Sequence, residues 1–253
     1  MRVLATVVLM LLAAAPLRAE EVLAALSQTR VSLTVNFEGS EILVFGAVRR
    51  EAPVPDESDL DIIVTIEGPP SAATIWRKAR RAGIWVNVES LRFRSVPGFY
   101  AVASTAPLAD ILSLDADLDH RISTRLAIFE ARGEAPVSNP AAYTDALLRI
   151  RADEGMYQQL ESTVTLERDT LFSTVISLPK NLAEGRYDTR VFLLRQGEVV
   201  DSYVTGIDVQ KAVLERWLYN LAYERPFMYG LLALGLALVF GWGAAAAFRL
   251  LRN

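Results

Sequence analysis

The side chains best suited to bind a charged ligand form a basic cluster, which consists of Arg77, Lys78, Arg80 and Arg81. Trp76 comes directly before the basic cluster, Trp85 follows it, and Arg92 and Arg94 lie a short distance further along the chain. Guanidinium groups bind oxyanions with paired hydrogen bonds, and cations beside tryptophans also suit anionic lipid headgroups or an acidic protein surface. The alternative interpretation is a basic strand edge that prevents aggregation.

Residue types that support catalysis are scarce. His120 is the only histidine, so a Ser-His-Asp arrangement would have to use it, and no serine lies in a Gly-x-Ser-x-Gly setting. The sequence has no cysteine, no glycine-rich phosphate loop and no His-Glu-x-x-His motif. We therefore predict that the protein is not an enzyme, has no catalytic residues and binds no cofactor, with His120 in a polar turn.

Three alternating carboxylates at Asp115, Asp117 and Asp119 resemble the start of a calcium loop. Such a loop requires glycine at its sixth position and glutamate at its twelfth, but His120 and Leu126 occupy these positions. We predict a solvated acidic turn and no metal site.

Size and charge limit the class of protein. The 253 residues are enough for two modest domains, each with its own core. A net charge of −4 gives little support to a general affinity for phosphate backbones, so nucleic acid is not an expected partner.

The first apolar segment has the plan of a signal peptide. Arg2 precedes an uncharged run that is shorter than a membrane span, and Ala19 provides a small residue before the expected cleavage site. Residues 1–19 are therefore predicted to be removed, which leaves Glu20 at the start of the exported chain. The alternative is that this segment stays as a short anchor.

The second apolar segment is predicted to be a transmembrane helix at residues 226–248. Residues 227–248 carry no charge, and this uncharged run is long enough to cross the hydrocarbon core. Arg249 and Arg252 lie in the tail at residues 249–253, which favours a cytoplasmic C-terminus. This predicts a single-pass protein of the inner membrane with its bulk in the periplasm; the alternative is a buried core helix.

Small residues recur at every fourth position of this helix, at Ala233, Ala237, Gly241 and Ala245. They lie on one helix face, where a second helix could approach closely, so we predict an integral membrane protein as a partner. The alternative is a chance series in a span rich in alanine and glycine.

The body of the chain is predicted to be mainly β. Short β-branched runs at residues 31–35, 42–45, 60–66 and 99–104 indicate one strand series, with further runs at 84–88 and 91–93. A second series lies at residues 164–166, 171–178, 187–194 and 199–204. We predict two β-sandwich, immunoglobulin-like domains at residues 20–140 and 155–210, joined by a helix at residues 141–154. An amphipathic helix at residues 211–225 is expected to lie at the membrane surface.

Several motifs, taken as a set, run along nearly the whole exported chain. They are Val44-Phe45-Gly46-Ala47, Gly68-Pro69, Arg77-Lys78 with Gly83-Ile84-Trp85-Val86-Asn87, Phe99-Tyr100-Ala101-Val102-Ala103-Ser104, and Gly241-Trp242. By these motifs the sequence resembles an alphaproteobacterial single-pass transmembrane protein family of unknown function. The resemblance implies an association with transporters of the sulfite-exporter type, and it defines no catalytic or binding residues.

Three functions are consistent with these features. The leading hypothesis is a membrane-anchored periplasmic accessory protein of a multi-span transporter. The second is a periplasmic module that binds an oxyanion through the basic cluster. The third is a structural envelope protein that binds lipid headgroups through the same residues.

Overall fold

The computed structural model describes residues 20–34, 37–50, 59–128, 137, 139–211 and 213–251. The predicted signal peptide lies outside these residues. In chain order the strands are β1 (Glu20–Leu26), β2 (Arg30–Leu33), β3 (Ser40–Arg50), β4 (Leu60–Glu67), β5 (Pro70–Arg81), β6 (Ile84–Pro97), β7 (Tyr100–Ser104), β8 (Tyr157–Leu160), β9 (Thr165–Glu167), β10 (Leu171–Leu178), β11 (Gly185–Arg195) and β12 (Glu198–Lys211). The helices are α1 (Leu108–Ile111), α2 (Leu114–His120), α3 (Thr124–Ala127), α4 (Pro140–Asp153), α5 (Val213–Glu224) and α6 (Pro226–Leu251).

These elements divide into two compact units. The first unit runs to Val31 and from Glu38 to Val209, and the second comprises residues 32–37 and the chain from Gln210 onward. The first unit contains sheet A, with strand order β1-β3-β10-β9, and the two-stranded sheet β5-β6. Sheet B has the order β2-β12-β11-β4-β7-β8; strand β11 is antiparallel to β12 and to β4, β4 is antiparallel to β7, and β7 is parallel to β8.

Sheet A is apolar on one face and exposed on the other. In β3 the side chains of Ile42, Val44 and Val48 are buried, whereas those of Leu43 and Phe45 are exposed. This alternation is typical of a strand with one face on a core. Strands β1 and β10 contact β11 and β7 of sheet B, so the buried face of sheet A meets sheet B.

Sheet B is buried on both faces at its centre. Strand β4 buries Ile62, Ile63, Val64, Thr65 and Ile66 without alternation, a pattern expected where a sheet is covered on both sides. Sheet A covers one face of sheet B, and the segment from α1 to α3 lies against the other face. The hydroxyl of Tyr100 on β7 donates a 2.7 Å hydrogen bond to the carbonyl of Ile122, which lies between α2 and α3. Burial raises the pKa of Tyr100, which keeps this donor protonated.

The mainly β class is confirmed, but the immunoglobulin-like arrangement is not. Strands expected in two consecutive sandwiches share both sheets: β3 pairs with β10, and β4 pairs with β11. The predicted domain division at residues 140–155 therefore differs from the observed pairing. The local pattern of a strand indicates which face is buried, but the partner strand is chosen by burial between segments far apart in sequence. The predicted connecting helix is present as α4, and it contacts β5 and β8.

The second unit contains the predicted amphipathic helix, observed as α5, and the long apolar helix α6. Proline begins α6 at Pro226, a first-turn position where its missing N–H costs no hydrogen bond. Backbone N–H groups of Arg225 and Tyr229 bond to the carbonyls of Leu221 and Arg225, so the helical path continues across the junction. Among the described residues, one helical span, Pro226–Ala244, is long and apolar enough to cross a membrane.

Candidate functional site

The basic cluster lies on a long β-hairpin formed by β5 and β6. Its two strands pair from Pro70↔Pro97 to Arg81↔Ile84, and Ala82 and Gly83 form the connection. Both connecting residues have positive φ, 46° and 87°, as required by the two-residue turn that matches the twist of a hairpin. The sequence runs at residues 84–88 and 91–93 were predicted as separate strands, but they belong to the single strand β6, and β5 was not predicted.

The half of the hairpin that is further from the turn, which we call the lower half, is held against the body of the first unit. Leu91, Phe93 and Val96 of β6 are buried. Helix α4 also binds here, because the hydroxyl of Tyr143 donates a 2.8 Å hydrogen bond to a carboxylate oxygen of Glu89. Arg77 donates to the same oxygen at 3.0 Å. Burial, followed by the hydrogen bond to Glu89, raises the pKa of Tyr143. This anchoring makes the lower half a fixed base.

Beyond this base, residues 76–88 form what we call the arm. Its largest apolar side chains are exposed, with 56% of Trp76, 64% of Ile84 and 69% of Trp85 accessible to solvent. The basic cluster is exposed as well, and only Ala79 and Val86 are half-buried. Tryptophans that are more than half exposed are uncommon on a surface that has no partner. Trp and Arg are also among the residues most enriched at binding hot spots.

The arm divides the basic cluster between its two faces. Side chains alternate along a strand, so Lys78 and Arg80 share one face and Arg77 and Arg81 share the other. Cross-strand pairing places Trp85 beside Arg80. A bulge between Arg77↔Glu89 and Lys78↔Asn87 leaves Val88 as the extra residue of β6. The four cations therefore surround the arm and do not converge on one point.

The composition of the arm also changes along its length. Ile84 and Trp85 are adjacent to the turn, Arg80 and Arg81 are paired with them, and Glu89 lies at the base. Apolar and cationic side chains therefore lie at the tip, and further cations follow toward the base. At the base lies the carboxylate of Glu89, which Arg77 and Tyr143 contact.

The small-residue series lies on α6 as predicted. Ala233, Ala237 and Gly241 are exposed, and a side chain built at Gly241 would meet no atom within 4 Å. Ala245 belongs to the same helix, but its side chain lies outside the described residues. No part of the candidate span is buried, so this face is available for contact with another helix.

The acidic residues and the histidine have local structural contacts. The three alternating aspartates lie on helix α2 and not in a turn, and the carboxylate of Asp117 accepts hydrogen bonds from the N–H groups of Ile122 and Ser123, at 3.0 and 2.7 Å. The His120 ring packs on Phe192, with centroids 5.6 Å apart. In the described part of the chain, no group of three His, Asp or Glu side chains could hold a metal ion.

An acidic cleft was missed at the sequence level. It has a volume of about 610 Å³ and is lined by four aspartates, Asp59, Asp61, Asp110 and Asp169. These residues come from three separate parts of the chain, so no local motif could have indicated them. Asp61 accepts a 2.6 Å hydrogen bond from the hydroxyl of Thr105, which gives this carboxylate a structural role.

A buried ionic contact was also missed. Glu20 on β1 receives hydrogen bonds of 2.6 and 2.7 Å from the guanidinium of Arg195 on β11, and one of 3.1 Å from Arg50 on β3. All three side chains are largely buried. The hydrogen bond from Arg195 is the main reason that the pKa of Glu20 lies below its ordinary value. The contact joins sheet A to sheet B.

Comparison with known proteins identifies the family. The family described as "Putative transmembrane protein (Alph_Pro_TM)" matches residues 21–250. No protein with a curated description is significantly similar to the chain. The crystal structure of Spo0M, a sporulation control protein from Bacillus subtilis, matches 81% of this chain and 55% of that chain at 10% identity, with a TM-score of 0.29. The chain thus spans about half the length of Spo0M. Because the family match takes in nearly the whole chain and the described residues include one candidate membrane span, the chain belongs to this transmembrane protein family.

Proposed function

We propose that the protein is a membrane-anchored, non-enzymatic interaction protein whose arm is the recognition element. Helix α6 is the anchor. The observation that carries the proposal is the exposure of Trp76, Ile84 and Trp85 on a hairpin whose base is held by buried side chains and by the hydrogen bond from Tyr143 to Glu89. A fixed base reduces the conformational entropy that is lost when the arm binds, so the exposed side chains can contribute more of their contact energy to binding.

The partner we propose is a multi-span transporter of the sulfite-exporter type, for which this protein would be an accessory subunit. The support is the sequence resemblance stated above and the small-residue face at Ala233, Ala237 and Gly241, where a transporter helix could pack closely. Arg249 and Arg252 favour a cytoplasmic tail, which would place the first unit in the periplasm and the span in the inner membrane.

Site-specific photo-crosslinking in cells tests the role of the arm. A photoreactive amino acid replaces Trp76, Ile84 or Trp85 in turn, and the matched control replaces Val204, which is 58% exposed on β12. We expect a crosslinked product from position 85 and none from position 204, and mass spectrometry identifies the product. Absence of any crosslink from positions 76, 84 and 85 would remove the arm as a recognition element.

Copurification tests the role of the helix. The full chain is extracted in mild detergent and purified by a C-terminal tag, with Gly241→Leu as the variant and Gly235→Leu as the control, because Gly235 is on α6 but faces away from the small-residue series. A stoichiometric multi-span protein that is lost only with Gly241→Leu would support the accessory role. A protein that purifies alone would contradict it.

The alternative of a periplasmic anion-binding module fits the geometry less well. Tight oxyanion binding needs guanidinium groups that converge, whereas Arg77 and Arg81 lie on the face opposite Lys78 and Arg80. Arg77 is also engaged with Glu89 at 3.0 Å. Calorimetry of the full chain in neutral detergent with sulfate or sulfite would restore this alternative if it detected binding that Arg80→Gln removes.

A further inference from the structure

We infer that the tip of the arm inserts into the interface of a bilayer containing anionic phospholipids, with Lys78, Arg80 and Arg81 bound to their headgroups. This inference rests on the proposed function, because it names a ligand for the same arm. The addition to the proposed function is that the tip of the arm contacts lipid as well as a protein.

The distribution of charge around the arm favours a bilayer. The cations Lys78 and Arg80 lie on one face, and Arg77 and Arg81 lie on the other. The two apolar tip residues are divided in the same way, since Trp85 pairs with Arg80 and Ile84 pairs with Arg81. A protein docked on one face of the ribbon would leave half of these groups in water. A bilayer approached end-on surrounds the tip, so both faces are used.

The gradient along the arm matches the layers of a membrane surface. Two residue pairs next to the turn span about 7 Å at 3.3 Å per residue, which is close to the thickness of one headgroup region. Ile84 and Trp85 lie within this length, and Trp is the residue that prefers the interface. The unpaired backbone edges of β5 and β6 would be costly in hydrocarbon, so insertion stops at the interface.

Local charge provides the attraction. The hairpin at residues 70–97 carries six basic residues and a single acidic one, in a chain whose net charge is −4. Glu89 is engaged by Arg77 and Tyr143 at the base, away from the tip. Cations held near an anionic surface are attracted to it within a Debye length. Anchoring by α6 keeps the arm at a high effective concentration relative to the bilayer.

Because the chain has no cysteine, a fluorescent label can be placed at one chosen site. The full chain carrying Ile84→Cys with an environment-sensitive dye is reconstituted into vesicles of phosphatidylcholine alone or of equal parts phosphatidylcholine and phosphatidylglycerol. The control is Val204→Cys with the same dye. We expect quenching by lipids with a quencher near the headgroup only at position 84, and only in the anionic vesicles.

The double substitution Arg80→Gln and Arg81→Gln then removes two cations from the labelled chain. The ratio of inserted to free arm should fall about 30-fold in the anionic vesicles, since each basic residue near an anionic surface contributes about 1 kcal/mol. A dye at position 84 that stays exposed in both vesicles overturns the inference. Quenching that is equal in both vesicles and unaffected by the double substitution also overturns it, because insertion would not involve the headgroups.

The two proposals fail in different ways. If the vesicle experiment is negative while position 85 crosslinks to a protein in cells, the lipid inference is wrong and the interaction role stands. If neither experiment detects contact with the arm, both are wrong.

Discussion

Two neighbouring parts of the chain use the β conformation for opposite purposes. Strand β4 ends at Glu67 and β5 begins at Pro70, yet Ile62 to Ile66 of β4 are inaccessible to solvent whereas the arm of β5 and β6 is exposed on both faces. Strand formation and core formation are therefore separate properties. Strand β4 supplies apolar surface to the core, and the hairpin supplies a projecting surface for binding.

The largest expected effect comes from removing core volume. Ile63→Ala leaves a cavity in the doubly covered centre of sheet B, so the free energy of unfolding should fall by about 3–4 kcal/mol. The matched control is Ile84→Ala, the same change at a side chain that is 64% exposed, with an expected loss below about 0.5 kcal/mol. Urea denaturation of the full chain in mild detergent, followed by circular dichroism, measures both. Equal losses would show that the arm belongs to the core.

The next effect comes from the ionic contact between the sheets. Glu20→Gln removes the negative charge that Arg195 and Arg50 contact in a mostly buried site and should cost about 3 kcal/mol at neutral pH. The neighbouring control Glu21→Gln removes an exposed pair with Arg49 and should cost less than about 1 kcal/mol.

The same contact predicts a pH dependence. The folded-state pKa of Glu20 is lowered, so its contribution is fully present above the unfolded pKa of about 4.3. It is lost as the pH falls through the lower folded value, because the unfolded chain takes up the proton first. The stability difference between wild type and Glu20→Gln should therefore shrink below about pH 4. A difference that is constant down to pH 3 would contradict the assigned pairing.

A smaller effect is expected at the turn of the arm. Gly83 has φ of 87°, and a side chain there would meet no atom within 4 Å, so Gly83→Ala incurs only a backbone penalty of about 1 kcal/mol. Gly83→Asn is the control, because asparagine tolerates a positive φ better. Faster amide hydrogen exchange should appear in the arm of the alanine variant and not in the core strands. Faster exchange throughout sheet B would show that the arm helps to stabilise the body.

The smallest effect on stability is expected from the basic cluster itself. Arg80→Gln with Arg81→Gln should change the free energy of unfolding by less than about 0.5 kcal/mol, because both side chains are exposed. Crosslinking from position 85 should nevertheless decrease. A variant that loses stability and binding together would remove the distinction between the core and the arm.

Several features of the fold could be predicted because they depend on local pattern. The apolar length of α6, the alternation of β10 and the helix formers of α4 follow from residues that are neighbours in sequence. The basic cluster was identified by composition, but its division between two faces was not. That division needs the register of β5 with β6, and β5 reads as a mixture of small and charged residues with no buried face beyond Trp76.

Local sequence pattern was enough to predict a mainly β chain with an apolar helix long enough to cross a membrane, since periodicity and length are properties of single segments. Tertiary structure alone decided that β3 joins β10, that β4 joins β11, and that Glu20 meets Arg195 across 175 positions of the chain. Such pairings minimise the exposure of apolar faces and the number of unpaired buried charges for the whole molecule. No single segment carries that information, because each strand face is compatible with many partners until all of them are packed together.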